Sequence, residues 1–264
     1  MRPIRPICIT CGTQYEAAQA SVCPVCEDER QWVRWEGQAW TDLAALAASH
    51  TMRIADDHGV LGLDVVPAFA IGQRALLVET PAGNLLWDCV ALLNAEAIAA
   101  IRDRGGLAGI AISHPHYYTT MLDWSAAFGG VPIHLHADDA AWIQRSGPAI
   151  QLWQGETTSP LPGLTLIRCG GHFEGATVLH RAAGAGDLFV GDVLQVGQDR
   201  RSLSFMRSYP NFIPVNAGAV RRIAASLAPF RYGRVHGAFR GRSIAEDGEA
   251  VVARSVERYL AAIS

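Results

Sequence analysis

His114-Pro115-His116 places two imidazoles at positions i and i+2 of a single turn, where neutral rings can converge on one metal ion. Further on, His172 stands behind Gly170-Gly171, Asp192 follows Gly191, and His236 precedes Gly237. Each of these positions closes a short apolar run. A second His-x-His, His134-Leu135-His136, competes with the first, since alternate residues of a strand share one face. Near the N-terminus stand Cys8-x-x-Cys11 and Cys23-x-x-Cys26, with eleven residues between the pairs. Two such turns present four thiolates and complete a tetrahedron for zinc. Disulfides and a rubredoxin-like iron site are the rival readings. So short a segment buries too little core to fold unaided, and the metal would supply its folding free energy. Cys89 and Cys169 lie in apolar surroundings and read as core.

The elements that must position these residues follow from the pattern. Residues 31–35 alternate like a short strand, and Thr41-Asp42 opens a capped helix. His50 and His58 fall in a polar connection and read as surface residues. From Gly59 to Leu93 the periodicity is that of a β-meander, with strands over residues 61–66, 74–79 and 85–89. Asn94 caps a helix that ends at Gly105-Gly106. The run Leu107–Ile112 is a buried strand that delivers His114, and Thr120 opens the next helix with Asp123 in the capping-box position. A helix over residues 138–145 and a strand over 164–169 follow. The latter delivers His172, and a hairpin turning at residues 183–186 delivers Asp192. His180, in mid-strand, reads as packed. Phe205, Met206 and Tyr209 sit in a mixed loop that reads as core or surface rather than as a pocket wall. Asn216 caps a helix to about Leu227, a short strand ends at His236, and a final helix covers about residues 245–263.

The chain has 264 residues, half of them hydrophobic, and a formal charge of −3. That suits one substantial domain with a small appendage, divided here as residues 1–38 and 39–264. The weakly acidic balance argues against nucleic acid as a partner. No apolar run reaches the ~20 residues that a membrane helix needs. The N-terminus lacks the apolar core of a signal peptide. The expectation is a cytoplasmic protein acting on a small molecule, with no membrane association and with the cysteine segment free to take a protein partner.

The order His114-x-His116, Gly171-His172, Gly191-Asp192, His236 resembles that of the metallo-β-lactamase superfamily over roughly residues 59–264, and the cysteine segment resembles a zinc ribbon. The resemblance implies an α/β fold, the four-layer αββα metallo-β-lactamase sandwich, preceded by a small zinc ribbon. It implies a first metal held by His114, His116 and His172, with Asp192 as the bridge and His236 in a second site. The family motif continues His-x-His-x-Asp-His, and here Tyr118 and Thr119 replace that Asp and His. The second site is thereby weakened, and a one-metal or asymmetric two-metal centre is expected. Catalytic roles fall to Asp192 and His236, and to Tyr118 as hydrogen-bond donor or ligand. Zinc is the expected ion at both the four-cysteine and the His/Asp sites, with iron or manganese as alternatives at the second. The implied activity is metal-dependent hydrolysis; superfamily substrates include lactams, lactones, thioesters and phosphodiesters. The alternatives are a mononuclear iron oxidoreductase of the same fold and an inactive binding protein.

Overall fold

In the computed structural model, residues 4–16 and 21–264 are described. The N-terminal unit is built on strand β1 (Ile7–Cys8), a four-residue helix α1 (Pro24–Glu27) and strand β2 (Trp40–Thr41). β1 and β2 pair antiparallel, so the unit's sheet includes residues beyond 38. Residues 31–35 form no strand, and instead run as a loop that leaves Trp35 almost fully exposed. Asp42 then caps helix α2 (Leu43–Ser49) by accepting hydrogen bonds from the Ala44 and Ala45 N–H groups.

Two mixed sheets follow. The first has seven strands in sequential order: β3 (Thr51–Asp56), β4 (Leu61–Val66), β5 (Arg74–Thr80), β6 (Gly83–Trp87), β7 (Gly109–Ala111), β8 (Ile133–His136) and β9 (Ile150–Trp153). β3 replaces the polar connection expected around His50 and His58. Its alternation is weak because it is an edge strand with one exposed face. Pairing is antiparallel through β6 and parallel from β6 to β9. Helix α3 (Ala95–Arg102) provides the crossover from β6 to β7, and α4 (Met121–Ala127) that from β7 to β8.

The second sheet has the order β10 (Thr157–Thr158), β11 (Leu164–Arg168), β12 (Thr177–Arg181), β13 (Asp187–Phe189), β18 (Arg234–His236), β19 (Ser243–Ile244). Between β13 and β18 lie two small hairpins, β14 (Gln195–Val196) with β15 (Leu203–Ser204) and β16 (Met206–Ser208) with β17 (Ile213–Pro214). Helices α5 (Ala217–Leu227) and α6 (Gly248–Ala262) cover this sheet.

The strands are apolar on both faces because both faces are covered. In β5, Leu76 and Val78 meet Leu166, Leu179 and Phe189 of the other sheet. Leu77, between them, points the opposite way and packs with Ile101 of α3 and Trp124 of α4. Across the molecule, Val178 and Leu188 pack with Val220 and Ile223 of α5 and Val252 of α6. Three stacked cores thus define the four layers αββα. The helix expected over residues 138–145 is a 3-10 turn, Ala137–Trp142, in which Asp139 points inward to accept the Gly175 N–H. Thr120 begins α4, yet its hydroxyl donates to the Val90 and Ala91 carbonyls rather than to the helix, and Asp123 bonds Gln14 and Arg145 of other segments. No helix among the described residues is long and apolar enough to cross a membrane.

Candidate metal centre

The chain brings together two clusters of donor atoms, Cys8-Cys11-Cys23-Cys26 and His114-His116-His172-Asp192; within each, the offered atoms all lie within 4.8 Å of one another. All eight residues are buried.

In the first cluster the sulfurs are unpaired. The Cys8–Cys26 and Cys11–Cys23 separations are both 3.6 Å. A tetrahedral ion with metal–sulfur bonds of about 2.3 Å sets sulfurs roughly 3.8 Å apart. Disulfides, which need sulfurs about 2 Å apart, are thereby excluded in this structure. The Tyr15 hydroxyl donates to Cys23 Sγ at 3.0 Å and the Gln38 amide to Cys8 Sγ at 3.2 Å. Such bonds offset thiolate charge and fit the cluster to a cation.

In the second cluster, β7 delivers His114 in an extended conformation, and Pro115–Tyr117 then make one 3-10 turn. His172 follows β11, and Asp192 follows β13 by three residues. All four donors therefore lie beyond the carboxyl ends of strands. Gly191 is needed where the two sheets meet: its φ is +50°, and a Cβ there would collide with the Ser113 hydroxyl.

Two of the three imidazoles, those of His114 and His172, are oriented from behind. His114 Nδ1 and Ser113 Oγ are hydrogen-bonded at 2.8 Å, while the Ser113 N–H donates to Asp88 Oδ1 at 2.7 Å. His172 Nδ1 donates to the Met206 carbonyl at 3.3 Å. His172 Nε2 consequently faces His116 Nδ1 at 3.3 Å, and His114 Nε2 faces Asp192 Oδ2 at 3.5 Å. His114 Nε2 is buried without a hydrogen-bond partner. A polar atom so orphaned costs roughly 1–3 kcal/mol unless something fills the gap, and a divalent ion fits this donor set. Burial, reinforced by neighbouring positive charge, holds His116 well below its ordinary pKa, and His172 is pushed down to about 3 for the same reasons. Both rings are therefore neutral, the form that ligates. Burial alone would raise the Asp192 carboxyl, but the His114 ring facing it and the other imidazoles hold it below the usual carboxylate range.

Tyr117 caps the cluster. Its hydroxyl donates to Asp192 Oδ1 at 2.7 Å, and its ring lies 4.3 Å from that of His114. Tyr118, carried over by motif position, turns the other way: it packs in the core with Met121 and Trp124, and borders a cleft beside Thr13 and Gln14. In a 3-10 turn, side chains three apart eclipse, which puts Tyr117 over His114 and sends Tyr118 inward. His236 also stays outside the cluster. Its Nδ1 is 3.4 Å from Asp57 and its Nε2 3.2 Å from Asp187, and its ring stacks on Phe189. His134 and His136 do not join either; His136 is occupied by the Gly155 carbonyl and Trp153. His180 packs against Phe230. Tyr209, in contrast to the expectation for its loop, borders the cavity over the metal centre, while Phe205 is core.

Sequence reasoning missed Tyr117, Ser113, Asp88 and Arg30. Asp88 directly follows β6 as Asp192 follows β13, and that repeated aspartate just past a strand was a usable signal. Its φ of +59° and its buried carboxyl, pushed up to about 7 by desolvation, were not readable. Arg30, from the N-terminal unit, donates to the His172 carbonyl at 3.3 Å and stacks 3.9 Å from the Phe173 ring centre, with Asp28 holding its other nitrogens.

The architecture is that of the metallo-β-lactamase fold. The DIM-1 metallo-β-lactamase superposes with a TM-score of 0.62 over 82% of this chain and all of that one, at 14% identity. VMB-1 superposes at 0.61 over 81% of this chain and 98% of its own, again at 14% identity. No protein-family model matches the chain. The chain belongs to the family of YmaE from Bacillus subtilis (strain 168), an uncharacterized protein with which it is 40% identical over 267 residues, 98% of this chain and 96% of YmaE.

Proposed function

We propose that the chain is a metal-dependent hydrolase with a single catalytic ion held by His114, His116, His172 and Asp192, and a structural zinc on the four cysteines. The observation that carries this reading is the buried, partnerless His114 Nε2, set among neutral imidazoles and a carboxylate that border an open cavity of about 270 Å³. A divalent ion, when bound there, supplies Lewis acidity that polarises a carbonyl and acidifies water near neutral pH.

The protein groups do the rest. Ser113 and the Met206 carbonyl fix the ring orientation of His114 and His172. Asp192, kept ionised, is placed to take a proton from the attacking water. Tyr117 holds that carboxylate by one oxygen and leaves the other toward the cluster. The water oxygen then bonds the acyl carbon, the bond to the leaving oxygen or sulfur breaks, and the proton passes to the leaving group. One ion rather than two is favoured because Tyr118 and His236 both face away from the cluster.

The test is metal analysis with a hydrolysis screen. Two bound ions per chain are expected, falling to one in His114→Ala with loss of turnover. Three ions per chain, or turnover that survives the substitution, would reject the reading.

A further inference from the structure

The cavity over the metal centre is walled from two directions. The large domain contributes His116, His172, Asp192 and Gln195. The N-terminal unit contributes Thr10, from the first cysteine turn, and Gln31 and Trp32, just past the second. This wall is fastened in place. Arg30 bonds the His172 carbonyl, and Asn211 Nδ2 donates to the Glu29 and Gln31 carbonyls at 2.8 Å each. On the other side Gly12, at φ +81°, lets the first cysteine turn press against Ala70 and Thr119; an added Cβ would stand 3.3 Å from each.

The wall has a definite chemistry. Gln31 is buried and lines the cavity, and its side-chain amide carries both a donor and an acceptor for a carbonyl compound. Trp32 is 45% exposed and offers an apolar face at the rim. Among the described residues, no lysine or arginine borders the cavity, whose charged protein group is the Asp192 carboxylate. Beyond the ion itself, a phosphodiester anion would therefore meet a carboxylate and no cationic side chain to hold its remaining oxygens. The volume, at about 30 Å³ for each water-sized unit, admits roughly ten non-hydrogen atoms.

We propose that the N-terminal cysteine unit is the substrate-recognition wall of the active site, with Gln31 and Trp32 contacting a small, uncharged carbonyl compound: an ester, thioester or lactone. The proposal rests on the hydrolase reading for its chemistry but not for its binding geometry, and the test separates the two.

The holoenzyme is assayed with p-nitrophenyl acetate, δ-valerolactone and methyl p-nitrophenyl phosphate, a phosphodiester close in size to the first. Equilibrium dialysis measures binding of p-nitroacetanilide, the amide analogue of the first. The esters are expected to turn over at least about a hundredfold more efficiently than the phosphodiester. Gln31→Ala and Trp32→Ala should each raise KM and the anilide Kd by about tenfold, the scale of one lost hydrogen bond. Both variants should keep wild-type metal content and Tm, which a merely structural role would not allow. Preference for the phosphodiester overturns the substrate class while the hydrolase reading stands. Unchanged KM and Kd in both variants, or no saturable anilide binding to the wild type, overturns the wall. Anilide binding that the variants weaken, with no turnover of any compound, supports the wall and rejects hydrolysis.

Discussion

The two donor clusters are both buried and both tetradentate, yet they are built to opposite ends. Around the cysteines, outside groups point at the donor atoms themselves, as Tyr15 and Gln38 do. The result is a closed cage. Around the histidines, Ser113 and the Met206 carbonyl bond the nitrogens that His114 and His172 turn away from the cluster, so the facing nitrogens point at the other members of the cluster. One side of that cluster then borders a cavity. Supporting groups that saturate donors make a site for holding a segment together; supporting groups that only aim donors leave room for an exchangeable ligand.

The sharpest way to break this contrast is to remove each ion by mutation. Cys11→Ser should lose one ion and melt the N-terminal unit, because zinc supplies about 10–16 kcal/mol to folds of this size. Turnover should fall by at least about 10² even though the His/Asp ion remains, since the unit holds the His172 loop and a misplacement near 1 Å costs that much. His116→Ala should instead abolish turnover and lose the other ion, with the fold retained by circular dichroism. Equal unfolding in both variants would erase the distinction between structural and catalytic clusters.

Next in size is the ionic group around His236. Asp187 is fully buried and bonded by Arg181 at 2.7 Å and Arg234 at 2.6 Å. Burial alone would raise its carboxyl, but the His236 hydrogen bond and the two arginines hold it well below the usual carboxylate range. A depressed pKa stabilises the fold at pH values above the unfolded value of about 4, and that contribution is lost as pH falls through the folded value. Asp187→Asn should accordingly cost about 3–5 kcal/mol at pH 7 by denaturant unfolding. The gap from wild type should narrow below pH 4, and metal content should not change. Loss of an ion in this variant would put His236 back among the ligands.

The smallest expected effect separates the two tyrosines. Tyr117→Phe removes a hydrogen bond to a charged group, worth about 1.5–3 kcal/mol, and should slow turnover by roughly ten- to a hundredfold with the ion retained. Tyr118→Phe leaves the packed ring in place and should change turnover by less than about twofold, within the ±0.5 kcal/mol of a neutral substitution. The reverse order of effects, read from kcat, would return the catalytic role to Tyr118.

The fold was largely legible because its strands are bounded by turn residues and end in chemistry. The β-meander, the Asn94 and Asn216 caps and the hairpin before Asp192 all stand where the pattern puts them. The four cysteines and the first His-x-His could be read from spacing, whereas His172 and Asp192 came from the family resemblance; each set lies clustered in the fold. What could not be read depends on tertiary contact. Residues 31–35 alternate like a strand but find no strand partner, and run as a loop whose first two residues, Gln31 and Trp32, line the cavity. Tyr118 was favoured over Tyr117 because a motif gives position, whereas only the 3-10 turn gives direction. Edge strand β3 carried too little alternation to stand out from a polar loop.

The bond from Arg30 to His172 spans 142 positions of the chain. During synthesis at about 5–20 residues per second, the N-terminal unit would wait roughly 7–28 s between its own completion and the arrival of that partner. Its aromatic and cationic docking face, Arg30 and Trp32 included, has nothing to lie against during that interval. Order in the waiting segment must come from within the segment, where the four clustered thiolates are the groups that could hold an ion.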